Sequence, residues 1–492
     1  MPGSIYQALR ARYAAGPHPS RRDFLRAAAA LSGGLLLSRD LPARDLRPKP
    51  TRHVVVIGAG FSGLSCAYEL TYAGYRVTVV EARDRVAGRV ISFGDFIDDA
   101  VIEGGGEFIG NNHPRWLHYA KIFDLPLREA SDHADLERPI VIAGRRLENA
   151  DAETLWHESD ELLKRLTALA ADINADEPWM SPRAAELDAE SVGHWIGKHQ
   201  ASDLTRLVAR IQMGSDNGVD VDRQSLLGNL AMIKGGGLDK YWEESEWYRC
   251  DGGNQLLARE LAEEIGAENI LLSRPVIELR SLAEKFVVEC LDGRTIDADD
   301  VVLAIPPSTW RNIRFDPPLP RELRVQMGTA VKFIADVKDR FWLARNTSPE
   351  GLGDGLISQT WEATDGQTEE AGAELTCFMG GPPAERSIAI DRASRNEAHL
   401  RDLETMYPGT DRAFNKARYM NWPGDTWTRA GYSFPAPGDV TSVGPLLHNG
   451  VGNLHFAGEH CSYAFIGYME GALASGARVA RKIAVRDGVI AG

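Results

Sequence analysis

The sequence of 492 residues predicts an α/β fold with α+β elements: a parallel sheet between helices, a second domain with a mixed sheet, and a helical lobe. Three observations predict it. A strand-helix-strand unit begins just after residue 50, a helix-rich stretch follows, and strand patterns return in the second half. A chain of this length exceeds one simple core, so two or three lobes are expected.

Composition and charge narrow the class of ligand. Hydrophobic residues at 43% and charged residues at 25% are ordinary for a globular protein. The formal charge is −15 and the basic residues form no long run, which argues against nucleic acid or an anionic membrane as partner. The expected partner is a small molecule. Neither a disulfide framework nor a metal site is expected from the scattered cysteines, which are Cys66, Cys250, Cys290, Cys377 and Cys461.

The N-terminal segment resembles a twin-arginine export signal. Ser20 to Arg26, with its pair Arg21 and Arg22, precedes an uncharged stretch from Ala27 to Ser38. That stretch is shorter than the ~20 apolar residues that a spanning helix needs, so no stable membrane span is expected. We expect residues 1–50 to be a signal or a retained tether, and the protein to be periplasmic or secreted. An amphipathic first helix is the alternative.

The first strand-helix-strand unit begins at residue 53. His53–Ile57 is a nearly continuous apolar run, typical of a strand buried on both faces of a parallel sheet. The sequence Gly58-Ala59-Gly60-Phe61-Ser62-Gly63 follows and opens a helix, expected over 64–73. A second strand is expected over 76–80, directly before Glu81.

The glycine pattern in this unit predicts a dinucleotide site. Gly58 permits a tight turn, Gly60 lets the backbone approach a pyrophosphate, and Gly63 lets helix and strand pack closely. The N–H groups of this helix start, Ser62 among them, would face the phosphates. Glu81, about 20 residues on, is placed to bind ribose hydroxyls. A glycine turn in an unrelated α/β fold is the alternative, and it would not require an acid at that position.

The rest of the chain divides into segments with different predicted secondary structure. Residues 111–249 are mostly helical in pattern, and strands are expected over 275–279, 286–291 and 301–305. The chain closes with a strand near 454–459 and a small-residue helix from about 469 to 483. We therefore expect a discontinuous dinucleotide-binding domain of residues 51–110, 250–310 and 445–485, a helical lobe of residues 111–249, and a substrate-binding domain of residues 311–444.

Further motifs carry a family resemblance. Glu81-Ala82-Arg83 leads to Ala87-Gly88-Arg89, and Glu103-Gly104-Gly105-Gly106-Glu107-Phe108 follows. Near the C-terminal end stand Gly458-Glu459-His460 and Gly467-Tyr468-Met469. With these motifs the chain resembles the flavin-containing amine oxidases, over nearly all residues after Pro50. The resemblance implies a Rossmann-like FAD-binding domain of the glutathione-reductase/amine-oxidase type, and FAD as cofactor.

The resemblance also implies how FAD is held. Ala87 stands where the family has the first glycine of a Gly-Gly-Arg loop, which would matter if that position required a positive φ. Gly431 stands where relatives with covalent flavin have cysteine, so FAD is expected to be non-covalent. The cofactor-binding residues implied are Gly58, Gly60, Ser62, Gly63, Glu81, Ala82, Arg83, Gly88, Arg89, Gly105, Gly106, Val276, Trp422, Gly458, Glu459, Gly467 and Met469.

Lys332, Tyr432 and Tyr468 match the family's catalytic positions: a lysine that holds water at the flavin, and two aromatic rings flanking the substrate amine. A buried lysine in an otherwise apolar strand needs a partner, which favours a site over an exposed edge strand. Core packing is the alternative for each tyrosine, and a solvated loop carboxylate for Glu107. The expected substrate-binding residues are Glu107, Phe108, Trp242, Tyr432, Phe465 and Tyr468.

The implied activity is oxidation of an amine. The leading expectation is an L-α-amino acid, oxidised by hydride transfer to FAD and hydrolysed to a 2-oxo acid and ammonia, while O2 becomes H2O2. Glu107 and Phe108 replace the arginine that many amino-acid oxidases carry, so a primary-amine or polyamine oxidase is the alternative. An FAD-dependent desaturase acting on C–C bonds and a non-catalytic FAD-binding protein are more distant ones. The oligomeric state stays open, and a homodimer is compatible with the sequence.

Overall fold

The structure is a computed structural model that describes residues 51–491 apart from 132, 134, 284 and 369–371. The export signal expected over residues 1–50 therefore lies outside the described residues. Within the described part, no helix is both long and apolar enough to cross a membrane.

The described strands are β1 (His53–Ile57), β2 (Arg76–Val80), β3 (Ser92–Phe93), β4 (Ile102–Glu103), β5 (Leu127–Glu129), β6 (Ile140–Ile142), β7 (Arg145–Arg146), β8 (Tyr248–Cys250), β9 (Ile270–Leu271), β10 (Val276–Leu282), β11 (Lys285–Cys290), β12 (Thr295–Ala298), β13 (Asp300–Leu303), β14 (Arg314–Asp316), β15 (Ala330–Val337), β16 (Gly351–Gly353), β17 (Gln359–Trp361), β18 (Ala373–Gly380), β19 (Phe414–Asn421) and β20 (Leu454–Phe456).

The described α-helices are α1 (Phe61–Tyr72), α2 (Pro114–Ile122), α3 (Asn149–Ala170), α4 (Ala184–Ala189), α5 (Val192–Lys198), α6 (Asp203–Asp216), α7 (Leu226–Gly235), α8 (Asp239–Glu244), α9 (Gln255–Ile265), α10 (Pro382–Ala389), α11 (Arg395–Met406), α12 (Thr410–Ala413), α13 (Asp439–Ser442), α14 (Gly444–Asn449) and α15 (Met469–Arg486).

One sheet has five parallel strands in the order β20-β13-β1-β2-β9. It draws strands from three separated parts of the chain. The expected bounds of β1 and β2 are confirmed, whereas α1 begins at Phe61 rather than at residue 64. The earlier start has a local cause, because the extended Gly60 caps the helix and lets Phe61 to Gly63 form its first turn. Helices α1 and α15 share one apolar core with this sheet.

A four-stranded sheet, β12-β11-β10-β14, packs on the parallel sheet through a second core that includes Val55, Val288 and Val301. Strand β14 belongs to this sheet because it pairs with β10, although residues 311–444 were expected to form the substrate domain. Helices α4, α5 and α7 share a separate core within the helical lobe.

A seven-stranded mixed sheet, in the order β19-β15-β18-β17-β16-β6-β7, forms the second domain. The last two strands at one edge of this sheet, β6 and β7, come from residues 140–146, inside the segment expected to be helical. Ile140 pairs with Leu352 across β6 and β16, so these short apolar strands complete the sheet. Strands of two or three residues give no usable periodicity, which is why the sequence pattern missed them. Strand β15 lies between β18 and β19, so Lys332 is on an interior strand and not an edge strand.

Candidate active site

One large cavity collects residues from both ends of the chain. It lies where the parallel sheet, β15 and the start of α15 come together. Most of the predicted site residues line it, and these are Gly58, Gly60, Ser62, Glu81, Ala82, Arg83, Gly88, Arg89, Gly105, Gly106, Val276, Lys332, Trp422, Tyr432, Gly458, Glu459, Gly467, Tyr468 and Met469. The two motif groups are thus parts of one site.

The glycine turn between β1 and α1 leaves room for a ligand where side chains would not fit. A Cβ on Gly63 would stand 1.9 Å from the carbonyl oxygen of Gly58, so helix and strand require glycine there. Gly58 has φ +108°, a conformation that L side chains rarely adopt. No side chain caps the N-terminus of α1, whose N–H groups remain available for an anion.

Glu81 is buried and holds this turn in place. Its carboxylate accepts hydrogen bonds from the backbone N–H of Ala59 at 2.7 Å and of Arg83 at 2.8 Å. A carboxylate has about four acceptor positions, so capacity remains for ribose hydroxyls. Burial raises the pKa of this carboxyl, against the lowering effect of the two N–H bonds.

Ala87 adopts φ +80°, so the position does favour the glycine that the family carries. Its N–H nevertheless donates to the carbonyl of Ala59 at 2.8 Å, which keeps the loop against the glycine turn. An L-residue in a left-handed conformation costs about 1–2 kcal/mol. The departure from the family pattern is therefore a local strain that leaves the loop's path intact.

Another part of the cavity wall is formed by backbone around Gly105 and by the start of α15. Gly105 fits only without a side chain, since a Cβ would stand 1.8 Å from the carbonyl oxygen of Arg89. Trp422 donates its indole N–H to the carbonyl of Gly104 at 3.0 Å, which fixes this loop. Helix α15 begins at Met469 without a side-chain cap, so its N–H groups can stabilise negative charge in the cavity.

Glu459 organises three chain segments through its carboxylate. It accepts hydrogen bonds from Arg89 at 3.0 Å, from the Ser433 hydroxyl at 2.6 Å and from the Gly467 N–H at 3.0 Å. It also lines the cavity, so the same carboxylate positions Arg89 and the residues around Gly467 at the cavity wall.

His460 tests whether the cavity suits a polar cofactor. Its imidazole is buried and lines the cavity, yet neither ring nitrogen has a protein partner. Burial lowers the pKa of this imidazole to about 4, so it is a neutral ring that presents one donor and one acceptor. Buried polar groups are normally satisfied, so these two nitrogens fit a polar ligand such as FAD.

Gly431 bears on how FAD would be attached. It lines the cavity, and a Cβ there would stand 2.8 Å from the Cβ and the backbone nitrogen of Ala330. No cysteine is present at this position to form a covalent link. All five cysteines are buried and free. Burial raises the pKa of the thiols of Cys66, Cys250, Cys377 and Cys461.

Lys332 reaches the cavity from β15 as part of a buried charge cluster. Its ammonium donates to the Glu107 carboxylate at 2.9 Å and to the carbonyl of Glu103 at 3.1 Å. Arg249 donates to the same Glu107 carboxylate at 2.9 Å, and the indole N–H of Trp361 at 3.0 Å. Burial would raise the pKa of Glu107, but the two cations outweigh it and lower the pKa. Glu107 is therefore ionised.

The structure differs from two expectations for Glu107. Its carboxylate is neither a solvated loop group nor free for a substrate cation, because its side chain is 2% exposed and is shared between Lys332 and Arg249. Phe108 lies under the Arg249 guanidinium, 4.6 Å from ring centroid to cation.

Trp242 and Phe465 are likewise not brought to the cavity. The indole of Trp242 donates to Thr167 in the helical lobe at 2.9 Å, and the ring of Phe465 packs edge-on against His113. Gly63 acts through close packing alone. The physical reason is common to these residues: sequence proximity to a motif does not fix which way a side chain turns.

Tyr432 and Tyr468 both line the cavity, as expected. The Tyr432 hydroxyl donates to the backbone carbonyl of Asp216 at 2.7 Å, and the Tyr468 ring packs edge-on against His113 at 5.3 Å. Burial raises the pKa of both phenols, so both are neutral. Burial also raises the pKa of the Asp216 carboxyl, to about 7.

Sequence reasoning missed several groups of this site. His460 directly follows the Gly458-Glu459 pair, so its place in that motif was a usable signal. Arg249, Trp361 and Asp216 come from distant segments with no recognisable motif around them. Only the packing of β8, β17 and the end of α6 brings these three toward the cavity.

A glycine-cradled dinucleotide site, an interior lysine and two tyrosines on one cavity define the fold and site of a flavoenzyme of the amine-oxidising class. Residues 61–484 match the model of the flavin containing amine oxidoreductase family. The chain belongs to that family, which confirms the expected resemblance, the fold class and FAD as cofactor.

Three relatives illustrate the range of similar proteins. An L-amino acid dehydrogenase of Synechocystis sp. is 25% identical over 464 residues, covering 90% of this chain and 97% of the relative. Putrescine oxidase of Kocuria rosea is 29% identical over 462 residues, covering 88% and 95%. The structure of cyclohexylamine oxidase from Brevibacterium oxydans aligns with a TM-score of 0.80 at 26% identity, covering 89% of this chain and 100% of that one.

Proposed function

We propose that the protein oxidises an amine that carries no α-carboxylate, with FAD taking a hydride from the carbon next to nitrogen. The resulting imine would hydrolyse to an aldehyde or ketone and ammonia, and O2 would be reduced to H2O2. This is the amine-oxidase alternative that the sequence left open.

The charge pairing of the cavity supports this proposal. Each arginine and lysine lining the cavity within the described residues already pairs with a protein carboxylate. The pairs are Arg83 with Asp425 at 2.6 Å, Arg89 with Glu459 at 3.0 Å, Arg274 with Asp292 at 2.8 Å, and Lys332 with Glu107 at 2.9 Å. A substrate carboxylate would be desolvated without a charged partner, which is costly.

The tyrosine pair suits an amine. Tyr432 is anchored through its hydroxyl, and a Cβ on Gly467 would stand 3.2 Å from its ring, so the ring is closely confined. Aromatic rings offer a negative face to an alkylammonium group and an apolar wall to the neutral amine. Orientation by these rings supplies proximity rather than acid–base chemistry.

An L-α-amino acid is the second candidate, favoured by the similarity to a protein named as an L-amino acid dehydrogenase. That reading requires a cation for the substrate carboxylate. Arg249 shares the Glu107 carboxylate with Lys332, and it also donates to the carbonyl of Glu362 at 3.0 Å. It would have to leave both partners to bind a substrate.

The test compares substrates that differ only in the carboxylate. FAD-loaded protein is mixed anaerobically with 2-phenylethylamine or with L-phenylalanine, and bleaching of the flavin absorbance is followed. We expect the amine to reduce the flavin at least ~10-fold faster, a difference of ~1.4 kcal/mol in barrier. Faster reduction by L-phenylalanine would overturn the proposal in favour of the second candidate. Reduction by neither compound calls for a wider amine series before the class is judged.

We also propose export through the twin-arginine route, on the sequence around Arg21 and Arg22 alone. Replacing both arginines by lysine should leave active, FAD-loaded enzyme in the cytoplasm of the producing cell. Fractionation followed by flavin fluorescence measures this. Unchanged export of the lysine variant would remove the proposal.

A further inference from the structure

A second, much smaller cavity adjoins the Lys332 and Glu107 pair. Its lining combines charged side chains with backbone of the segment after β8, namely Val101, Glu103, Glu107, Arg128, Arg249, Cys250, Asp251, Gly252, Gly253, Ala363 and Gln367. Lys332 lines the large cavity, whereas Glu107 lines the small one. The 2.9 Å contact between them therefore joins the two cavities through a single ion pair.

The small cavity can hold water and leads toward the surface. Its volume of about 20 Å³ accommodates one water molecule, which needs about 10–15 Å³ and several polar partners. Gly252 in its wall is exposed, and the side chain of Asp251 is 45% exposed. Asp251 also accepts a hydrogen bond from Arg128 at 2.9 Å, which fixes the outer wall.

Glu103 is the acid in this cavity that retains a proton near neutral pH. Its carboxyl group accepts hydrogen bonds from the N–H of Asn254 at 2.6 Å and from the Ser92 hydroxyl at 3.0 Å. Burial raises the pKa of Glu103 to about 8, the Asn254 N–H opposes that rise, and the charge on Glu107 adds to it. Glu107, in contrast, is ionised by Lys332 and Arg249.

We propose that Glu103, Glu107 and the small cavity form a proton route between solvent at Asp251 and the Lys332 ammonium in the large cavity. The route would serve the reduction of O2, so it rests on the proposed function. In that step O2 takes two electrons and one proton from the reduced cofactor and needs one further proton to become H2O2. Lys332 delivers that proton and becomes a neutral amine. Glu103 then passes its proton through the cavity water to the Glu107 carboxylate, which hands it on to Lys332, and solvent at Asp251 reprotonates Glu103.

The charged and titratable groups facing Glu103 set the direction of its pH dependence. Lys332 on β15 and Glu107 on the loop after β4 both act on it. The other charged or titratable residues around the small cavity are Arg128, Arg249, Cys250 and Asp251. Cys250 has a pKa raised to about 12 by burial and stays neutral near pH 8. Proton delivery should therefore be fast below pH about 8, and should slow above it as Glu103 ionises.

Glu103→Gln tests the route, because the amide keeps an acceptor for Asn254 and Ser92 but has no acidic proton. Pre-reduced enzyme is mixed with O2 between pH 6 and 10, and the return of flavin absorbance is timed. We expect the wild-type rate to fall through pH about 8. The E103Q rate should be flat at the slow, high-pH value. A purely electrostatic role predicts the opposite, since the neutral amide would give the fast, low-pH value throughout.

Glu374→Gln is the matched control. Glu374 is also buried, and burial raises its pKa to about 8, but it lines neither cavity and accepts from the Thr376 hydroxyl at 3.0 Å. Its replacement should keep the wild-type profile. Ser92→Ala is a milder variant that removes a hydrogen bond to the ionised Glu103, so it should move the inflection to higher pH.

A readout independent of turnover uses infrared spectra of the flavin-free protein. The carbonyl band of the protonated Glu103 carboxyl, identified as the band lost in E103Q, should titrate near pH 8. In D2O it should exchange faster than the band lost in E374Q, because Glu103 adjoins the water cavity. Equal or slower exchange, an E103Q profile that keeps its inflection, or a flat fast E103Q profile would each overturn the route. Absence of flavin reduction by any amine would instead defeat the proposed function.

Discussion

Replacing Lys332 by methionine probes the buried charge cluster and the chemistry together. Methionine fills a similar volume without a charge. The change removes the 2.9 Å bond to Glu107 and the 3.1 Å bond to the carbonyl of Glu103. Glu107 keeps Arg249 and Trp361 as partners, so its carboxylate is not left alone in the interior.

The stability cost of K332M follows from the hydrogen bonds that are lost. Losing a hydrogen bond between charged groups costs about 1.5–3 kcal/mol, and relief from burying the ammonium offsets part of it, so we expect about 1–3 kcal/mol for K332M. The converse change, E107Q, leaves Lys332 and Arg249 buried together without an anion. Breaking a buried pair in that way costs about 3–5 kcal/mol. The two variants should thus differ by about 2 kcal/mol.

The effect on O2 comes from the same charges. With Glu103 neutral below pH about 8, Lys332, Arg249 and Glu107 carry a net charge of +1, and K332M brings it to zero. One charge acting over ~8 Å at an effective dielectric of ~20 is worth ~2 kcal/mol. Loss of this stabilisation near a reduced oxygen species should slow flavin reoxidation by at least ~10-fold. Anaerobic reduction by substrate should change less.

Two measurements check this prediction. Urea unfolding of flavin-free wild type, K332M and E107Q gives the stability order, and stopped-flow mixing of reduced enzyme with O2 gives the reoxidation rate. An E107Q variant as stable as K332M would show that the cluster is not electrostatically coupled. Unchanged reoxidation in folded, FAD-loaded K332M would refute the role of this ammonium at the flavin.

Three further predictions follow from particular backbone and side-chain observations. Acid precipitation should release the flavin into the supernatant, because Gly431 offers no atom for a covalent link, and yellow precipitated protein would contradict this. Ala87→Gly should raise the free energy of unfolding by up to ~1 kcal/mol by relieving φ +80°, whereas an unchanged or lower value in urea would show that the loop is unstrained. Asp216 has a pKa raised by burial from 3.8 to about 7, so the folded flavin-free protein binds the extra proton between those values and loses stability as pH rises through them. Asp216→Asn should abolish that loss, as melting temperatures from pH 4 to 8 would show, and an unchanged slope would place the titration elsewhere.

The sequence determined the elements whose signal is local. A buried apolar strand, a glycine turn that excludes side chains, and an acid at the end of the next strand are fixed by residues within about 30 positions, the size of one such unit. Gly58 and Gly63 therefore form the tight turn and the close helix–strand contact that the pattern predicted. Glu81 lies at that turn and accepts from the Ala59 N–H, while its binding of ribose hydroxyls stays a prediction. Lys332 has the buried partner that an amine inside an apolar strand was expected to need. Its role at the flavin stays a prediction.

Which partner Lys332 receives was decided only by the tertiary structure. Glu107 was predicted to face the substrate, yet it turns to Lys332 and Arg249, a contact between residues 142 positions apart. Nothing in the sequence around Arg249 marks it, because its role depends on β8 meeting the loop after β4. The same packing created the small cavity beside Glu103.

The proposed substrate class also rests on tertiary pairing. The sequence left an amino acid and a plain amine open as substrates, since Glu107 and Phe108 stand where many amino-acid oxidases carry an arginine. The structure pairs each lining cation with a carboxylate, as Arg83 with Asp425, a residue 342 positions away. Local sequence specifies the backbone cradle because its geometry is set by nearby dihedral angles. Charge neutralisation between distant side chains is set only when the domains pack.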